Sequence, residues 1–290
     1  YLVLILFIFL SLVGAHTGGF RYDLECFKNW SLHIFTNGLP HAYTEWNNYM
    51  PFYQYVMWVY GKIAGSEEEI GHLIMNLNVV AFSFDFLGLW YVYKWIDKKV
   101  DFLLILLFNM LNIAYAYNSV VWGQVDAIYT AMVFISLYYA FKGRMALSAI
   151  WYVLAINMKL QAIVFLPVLG LVYLYIAADK RSLKQVAYTL CTIVVLQLLL
   201  LWPFLTITNG FNIFWKEVMS ATTIYPTVTC GSFNIWFFFF KGNEPRDFPD
   251  STVFLAGISY MKAGLILFCT ASFFALWPLL KSLYLKLVKK

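Results

Sequence analysis

Length, composition and charge place this chain among membrane proteins. Of its 290 residues, 62% are hydrophobic and only 12% are charged, and the formal net charge is +5. This balance excludes an ordinary soluble domain, because too few charged residues remain to cover a water-facing surface. The basic residues come in short clusters between apolar runs, which argues against nucleic acid as a partner and supplies topology signals instead.

The first predicted span opens the chain. The run YLVLILFIFLSLVGA is apolar and begins at Tyr1 rather than at a methionine. Its length also suits the core of a cleaved signal peptide, which is the alternative, but no basic n-region precedes it. We therefore interpret the run as a membrane span and expect that N-terminal residues of the protein are missing.

The basic clusters predict how many spans the chain has. Lys and Arg beside spans stay on the cytoplasmic side, so an even number of crossings separates each cluster from the next. The four clusters, which are KWIDKK, FKGR, DKRSLK and KSLYLKLVKK, then predict about eight spans. In chain order these predicted spans are residues 1–15, 73–93, 102–115, 125–139, 145–158, 161–176, 186–205 and 255–279.

Two long extracytoplasmic loops follow from these crossings, the first over residues 16–72 and the last over residues 206–254. Within the first loop, residues 23–35 and 52–64 are amphipathic but too short to cross a bilayer, which takes about 20 residues. They are predicted to form juxtamembrane helices. The predicted fold class is an all-α membrane protein, a multi-span helical bundle of one domain over residues 1–290.

Polar residues gather at the outer side of this predicted bundle. Polar groups at or near membrane depth usually face a cavity or one another, which makes them candidates for a functional site. Asp85 is different because it lies deep within a predicted span, and we expect it to pair with a neighbouring helix or to stay neutral. The outer residues are Asp23, Glu25, His33, His41, Glu45, Asn47, Asn48, Trp122, Gln124, Asp126, Lys159, Tyr225 and Asn234.

Several blocks of this chain resemble the GT-C superfamily of membrane glycosyltransferases. YDLECFKNW looks like the acidic motif that opens the first outer loop in that family, and NNYMPFYQY stands where many members carry an Asp/Asn-Tyr-Pro-Pro-like sequence. WGQVD, NMKLQAIVFLP and IYPTVTCGSFNIW are similar to later blocks of bacterial members and of the lipid-linked glucosyl- and mannosyltransferases of N-glycan assembly. The order matches over nearly the whole chain, although Met50 interrupts the usual Tyr-Pro-Pro and Asn48 replaces a common acidic residue.

This resemblance implies a reaction and a residue that acts as its general base. The function is inverting transfer of a mannose- or glucose-like hexose from a polyprenyl-phosphate donor to a lipid-linked glycan, polysaccharide or protein on the extracytoplasmic face. Such chemistry needs a carboxylate for the proton of the attacking hydroxyl and a cation for the departing phosphate. Asp23 matches the base by position, whereas its residue type alone is equally typical of a helix N-cap. Because many members have more than eight spans, we also expect C-terminal spans to be missing.

The donor phosphate is assigned to Lys159, the only cation in a long apolar stretch, and to Arg21. For Lys159 the alternative is a side chain that snorkels to the interface. Asp126 is predicted to cap the helix that it begins and to form the floor of the substrate cavity with Gln124. Alternative cations are Lys216, Lys241 and Arg246. The predicted cavity residues are Glu25, Asn48, Tyr49, Trp122, Gln124, Asp126, Tyr225 and Asn234.

Cofactor, location and competing functions complete the predictions. No Asp-x-Asp pair occurs and the outer histidines lack ligand spacing, so we predict no metal site and metal-independent chemistry, with a divalent cation as the alternative. The lack of a soluble domain favours a bacterial plasma membrane over the endoplasmic reticulum. Two other functions stay open: a polytopic transporter, although no repeated half is visible, and a non-catalytic membrane subunit that binds lipid or glycan.

Overall fold

The computed structural model is almost entirely helical and describes residues 1–16, 19–97, 99–180, 183–220, 224–229, 234–240 and 248–288. Two compact units divide the chain, Tyr1–Glu217 and Val218–Lys290. The α-helices up to the boundary region are α1 (Leu2–His16), α2 (Arg21–Asn37), α3 (Pro51–Ala64), α4 (Glu67–His72), α5 (Asn78–Trp95), α6 (Phe102–Met110), α7 (Ile113–Tyr115), α8 (Asp126–Phe141), α9 (Met145–Met158), α10 (Leu166–Lys180), α11 (Leu183–Leu205) and α12 (Gly210–Ser220).

Shorter helical pieces join these helices. The 3₁₀ turns are Leu39–His41, Ile74–Leu77 and Leu160–Phe165, and a π-helical segment covers Ala116–Trp122. In the second unit, a 3₁₀ turn at Ile235–Phe239 precedes a two-stranded antiparallel hairpin and a long helix. These elements are β1 (Val253–Leu255), β2 (Ile258–Ser259) and α13 (Tyr260–Val288).

The structure supports an all-α membrane protein, but it does not establish eight spans. Within the described residues, four helical stretches are long and apolar enough to cross a membrane, and six if each of two bent pairs is one span. The helices Asp126–Phe141 and Met145–Met158 coincide with predicted spans but are shorter than a full crossing. The count of eight therefore stays a prediction. The four long stretches are Ile74–Trp95, Leu160–Ala178, Lys184–Leu205 and Tyr260–Val288.

One predicted span, over residues 102–115, is interrupted within its length. The helical pair Phe102–Met110 and Ile113–Trp122 bends by 70°. The break lies at Asn112, whose side-chain oxygen accepts a hydrogen bond from the backbone N–H of Ala114 at 3.0 Å. An asparagine that caps a new helix in this way competes with continuation of the old one.

The π-helical segment after this break ends at a glycine for a geometric reason. Gly123 has a φ of +79°, which glycine adopts without the strain that a Cβ would add. A Cβ at this position would also lie 3.2 Å from the side chain of Asn78. We call residues 113–124 the bridging segment, because it joins the broken span to the start of α8.

Helices α8, α9 and α10 form a tightly packed frame. The buried hydroxyl of Ser136 on α8 donates to the carbonyl of Ser148 on α9 at 2.8 Å, and Tyr173 on α10 donates to the Ser148 hydroxyl at 2.7 Å. Small hydroxyl residues let membrane helices approach closely and hydrogen-bond across the interface. This frame fixes the position of Asp126, at the start of α8, and of Lys159, directly after α9.

The helices predicted over residues 23–35 and 52–64 are present as α2 and α3, which pack against each other, and their juxtamembrane placement stays a prediction. Helix α3 begins with Pro51, whose fixed φ suits a first helical position, and ends before Gly65, which has a φ of +79°. Between the two helices, the rings of Phe27 and Tyr53 meet edge to face with centroids 5.4 Å apart. The first predicted outer loop is therefore a folded part of the first unit.

Candidate active site

The carboxylate of Asp23 is the centre of the candidate site. It lies in the first turn of α2 rather than at the N-cap, which is Phe20. Its Oδ2 atom accepts hydrogen bonds from the indole of Trp122, at 2.8 Å, and from the side-chain amide of Gln124. Two neutral donors from the bridging segment, 99 and 101 residues further along the chain, thus orient this carboxylate.

The start of α2 and the bridging segment are also joined through their backbones. The N–H of Phe20 donates to the carbonyl of Trp122 at 3.0 Å, and the two rings are 5.1 Å apart. The ring of Tyr117 also contacts the indole, with ring centroids 5.7 Å apart. Two aromatic contacts and one backbone bond therefore help to fix the direction of the N–H that Trp122 donates to Asp23.

Lys159 and Asp126 form an ion pair within the same unit. The ammonium nitrogen lies 2.5 Å from Oδ1 of Asp126, and the side chains are 18% and 37% exposed. The prediction that Asp126 caps α8 is wrong: the N-cap is Val125, and no side chain caps there. The ammonium competes successfully for the carboxylate, because a charged donor bonds it more strongly than a backbone N–H does.

Tyr49 lies near both the ion pair and the Asp23 carboxylate. The Lys159 nitrogen lies 5.7 Å from the centroid of its ring. Burial raises the pKa of Tyr49 well above its usual value, and the nearby Tyr53, Asp126 and Asp23 raise it further. Tyr49 is thus the residue that links the ion pair to the surroundings of Asp23.

A buried amide pair positions Tyr49. Asn47 and Gln54 exchange two side-chain hydrogen bonds, of 2.8 and 2.9 Å. The Gln54 amide also donates to the carbonyl of Tyr49 at 2.9 Å, and the N–H of Tyr49 donates to the Asn47 oxygen at 3.1 Å. Because these bonds fix both backbone groups of Tyr49, the loop before α3 is rigid at the residue that faces the ion pair.

Removing this amide pair is expected to destabilise the protein. Gln54 is fully buried, and Gln54→Leu removes both of its bonds to Asn47 and one of two donors to the Tyr49 carbonyl, the other being the Tyr43 hydroxyl. We expect this change to cost about 1–3 kcal/mol. Thermal unfolding in detergent measures the loss. The matched control is Gln161→Leu, at an exposed glutamine, which should change stability by less than about 0.5 kcal/mol. Equal unfolding temperatures for the two variants would contradict this account of the loop.

Two side-chain oxygens of the predicted cavity have no partner within the described part of the chain. They are Oδ1 of Asn48 and Oε1 of Gln124, and both atoms are buried. Buried acceptors are nearly always satisfied in folded proteins, so an unpaired one marks a place where a ligand can donate. Hydroxyl groups of a sugar are donors of this kind.

Arg21, Glu25 and the rival cations are not brought to Tyr49 or to the ion pair by any contact that the structure describes. Arg21 bonds to Glu25 at 3.2 Å in a pair whose side chains are 92% and 62% exposed. The rival cation Lys216 is exposed on α12. The other two rivals, Lys241 and Arg246, lie outside the described residues. Of the cations that the structure describes among these candidates, Lys159 is the one that it brings to Tyr49 and Asp126.

The last two predicted cavity residues belong to the second unit. Tyr225 is exposed. The side chain of Asn234 bonds within that unit, donating to the carbonyl of Val228 at 2.8 Å and accepting from the N–H of Trp236 at 3.1 Å. These bonds give Asn234 a local role as the N-cap of a 3₁₀ turn, and its predicted place in the substrate cavity stays a prediction.

No metal centre is evident in the described ranges, where no three His, Cys, Asp or Glu side chains gather in a way that could hold an ion. Metal-independent chemistry stays a prediction. Sequence reasoning missed the Asn47 and Gln54 pair and the bond between Lys159 and Asp126. The ion pair could have been predicted from the sequence, because Lys159 and Asp126 carry opposite charges in neighbouring apolar stretches. Such charges are costly to bury unless they pair with each other.

Comparison with known families gives one match. Residues 78–217, just under half of the chain, match the family model described as "ALG3 protein". The matched stretch includes Trp122, Gln124, Asp126 and Lys159 but ends short of Asp23 and Tyr49 at the N-terminal side. Comparison with curated proteins and with solved structures found no match. The family match, together with the apolar helices, supports a membrane glycosyltransferase of GT-C type that acts in glycan biosynthesis.

Proposed function

We propose that this protein transfers mannose from a dolichyl- or related polyprenyl-phosphate donor to a lipid-linked glycan, with inversion at the anomeric carbon and with Asp23 as general base. The match to the ALG3 family model favours mannose among the hexoses and a lipid-linked glycan among the acceptors. It also favours the endoplasmic reticulum membrane over the bacterial plasma membrane that the sequence first suggested. The reacting groups meet on the lumenal, extracytoplasmic side.

The reaction needs few protein groups. A hydroxyl oxygen of the acceptor attacks the anomeric carbon, and the bond from that carbon to the donor phosphate breaks. The electron pair leaves with the polyprenyl phosphate, and the hydroxyl proton goes to the Asp23 carboxylate. Because the hydrogen bonds from Trp122 and Gln124 both fall on Oδ2, the Oδ1 atom is the one that takes the proton.

Lys159 supplies the charge for the departing phosphate. A lysine ammonium has three N–H donors, and the bond to Asp126 uses one of them. The remaining donors steady the negative charge that develops on the phosphate as the bond to carbon breaks. Asp126 holds the ammonium in place, and Tyr49 lies near both the ammonium and the base.

The observation that carries this proposal is the orientation of Asp23. Two donors from a segment about 100 residues away fix one carboxylate oxygen of Asp23, and Tyr49 lies near both this carboxylate and the Lys159–Asp126 ion pair. A carboxylate placed only to cap a helix would bond to backbone N–H groups of its own first turn.

A donor comparison with purified protein tests the proposal. Polyprenyl-phosphate mannose, polyprenyl-phosphate glucose and a nucleotide-linked mannose are each offered with a lipid-linked glycan acceptor. We expect transfer from the lipid-linked mannose and none from the nucleotide donor. Transfer from the nucleotide donor, or transport of the lipid-linked donor across proteoliposomes without any transfer, would contradict it.

A further inference from the structure

A second carboxylate, that of Asp85, lies inside the bundle and has no part in the proposed reaction. It sits on α5, which belongs to a stretch long and apolar enough to cross a membrane, and its Oδ2 atom accepts a hydrogen bond from the hydroxyl of Tyr115 at 2.9 Å. This bond fulfils the expectation that Asp85 pairs with a neighbouring helix. An ionisable side chain within a span is costly to keep, which makes a specific role for it the default interpretation.

The bonding partner of Asp85 belongs to the bridging segment. Tyr115 lies near the start of that segment, while Trp122 and Gln124, the two donors to Asp23, lie at its other end. One aspartate thus holds each end of the segment, with Tyr115 bonded to Asp85 and Trp122 bonded to Asp23. Between the two ends the chain is π-helical, a form that is rare and whose short occurrences are frequent at functional sites.

A cavity of about 580 Å³ lies beneath the bridging segment. Asp85 and Asp126 both line it, and so do Asn118 and Ser119 of the segment itself. Since space lies on one side of the segment, packing alone does not fix its position there. The side-chain bonds at its two ends and the backbone bond from Phe20 to Trp122 help to fix that position.

We propose that Asp85 is a positioning residue, which acts through Tyr115 and the bridging segment to hold Trp122 and Gln124 against the base Asp23. The bond to Tyr115 anchors the start of the segment to α5. With this anchor in place, the donors at the far end keep the direction that orients Asp23. The catalytic part of this inference rests on the proposed function, whereas its structural part does not.

Hydrogen exchange tests the structural part without any activity assay. In Asp85→Leu, which removes the acceptor, backbone amides of residues 113–124 should exchange at least about tenfold faster, because local opening becomes cheaper. Tyr115→Phe removes the donor and should do the same, so it replaces the first variant if that one does not fold. Asp85→Asn keeps an oxygen for the Tyr115 hydroxyl and should restore slow exchange. The control Ser83→Ala removes a hydroxyl of α5 that bonds within its own helix.

Coupled kinetics test the catalytic part. Asp85→Leu should lower kcat for mannose transfer by about tenfold and change the donor KM by less than about twofold, since base orientation and not binding is lost. In a Trp122→Phe/Gln124→Leu background, where both bonds to Asp23 are already gone, the same change should lower kcat by less than about twofold. A merely structural defect would instead lower activity by the same factor in both backgrounds.

The outcomes separate this inference from the proposed function. Unchanged exchange at residues 113–124 in both Asp85→Leu and Tyr115→Phe overturns the inference, whatever the activity. Equal kcat losses in the two backgrounds overturn it as well. If the wild-type protein transfers no sugar from any lipid-linked donor, the proposed function fails, and the exchange result alone then decides whether Asp85 positions the segment.

Discussion

Asp23→Asn should lower the rate of mannose transfer by about 10²–10⁴-fold, the usual contribution of a general base. The variant keeps an oxygen that accepts from Trp122 and Gln124, so the fold and the shape of the site should survive. An amide, however, does not take the proton of the attacking hydroxyl. Single-turnover transfer from a radiolabelled lipid-linked donor measures the chemical step, and thermal unfolding in detergent checks that the protein remains intact.

Two further variants sharpen this result. Glu68→Gln removes a carboxylate that is 84% exposed on α4, and it should leave transfer within about twofold of the wild-type rate. Asp126→Asn should lower the rate less than Asp23→Asn does, because Asp126 acts on the cation and not on the hydroxyl. Equal losses in Asp23→Asn and Asp126→Asn would show that the roles of the two carboxylates are wrongly divided.

Lys159→Gln has the second-largest expected effect, a loss of about 10²-fold in kcat, comparable with removal of one preorganised donor to a developing negative charge. The same change leaves Asp126 without its cation and should cost about 1–3 kcal/mol of stability. Steady-state transfer kinetics and thermal unfolding measure the two effects separately. Lys142→Gln, which removes an exposed lysine after α8, is the matched control and should change neither quantity.

A double variant distinguishes phosphate binding from simple ion pairing. In Lys159→Gln/Asp126→Asn both charges are gone and the two amides bond to each other, so the lost stability should largely return. Transfer should stay low, because no cation faces the phosphate. Recovery of both stability and transfer in the double variant would show that Lys159 serves only as the partner of Asp126.

The partners of the two carboxylates explain why Asp23 and not Asp126 is assigned as the base. Neutral donors hold Asp23, whereas an ammonium holds Asp126. The ammonium occupies the Asp126 carboxylate, whereas the two neutral donors both bond Oδ2 of Asp23 and leave its Oδ1 for the hydroxyl proton. The ammonium beside Asp126 also supplies the positive charge that a leaving phosphate requires.

The sequence predicted helices well where apolar length and turn residues decide the structure. The predicted residues 145–158 match α9, and the predicted residues 52–64 match α3 within one residue at its start. It missed the break within residues 102–115, because hydropathy does not register a side chain that caps the start of a new helix. The cap at Asn112 breaks a run whose composition is apolar throughout.

For the candidate site, residue types were easier to predict than partners. Asp23, Trp122 and Gln124 were each assigned to the site from the sequence, but the bonds among them join positions about 100 residues apart. No local sequence pattern predicts such a contact, because it depends on how the bridging segment packs against the start of α2. The prediction that Asp126 caps α8 was wrong for a related reason. An aspartate at the start of a helix is typical of a cap, but this carboxylate bonds instead to Lys159, which follows the end of α9.

An experimental structure of the Asp23→Asn variant with bound polyprenyl-phosphate mannose tests the central claim most directly, because the slowed reaction preserves the donor. We predict that the donor phosphate lies within hydrogen-bonding distance of the Lys159 ammonium and that the anomeric carbon faces the side chain at position 23. A phosphate bound at the opposite end of the bundle, beside Lys94, or a sugar turned away from position 23 would contradict the assignment of this site.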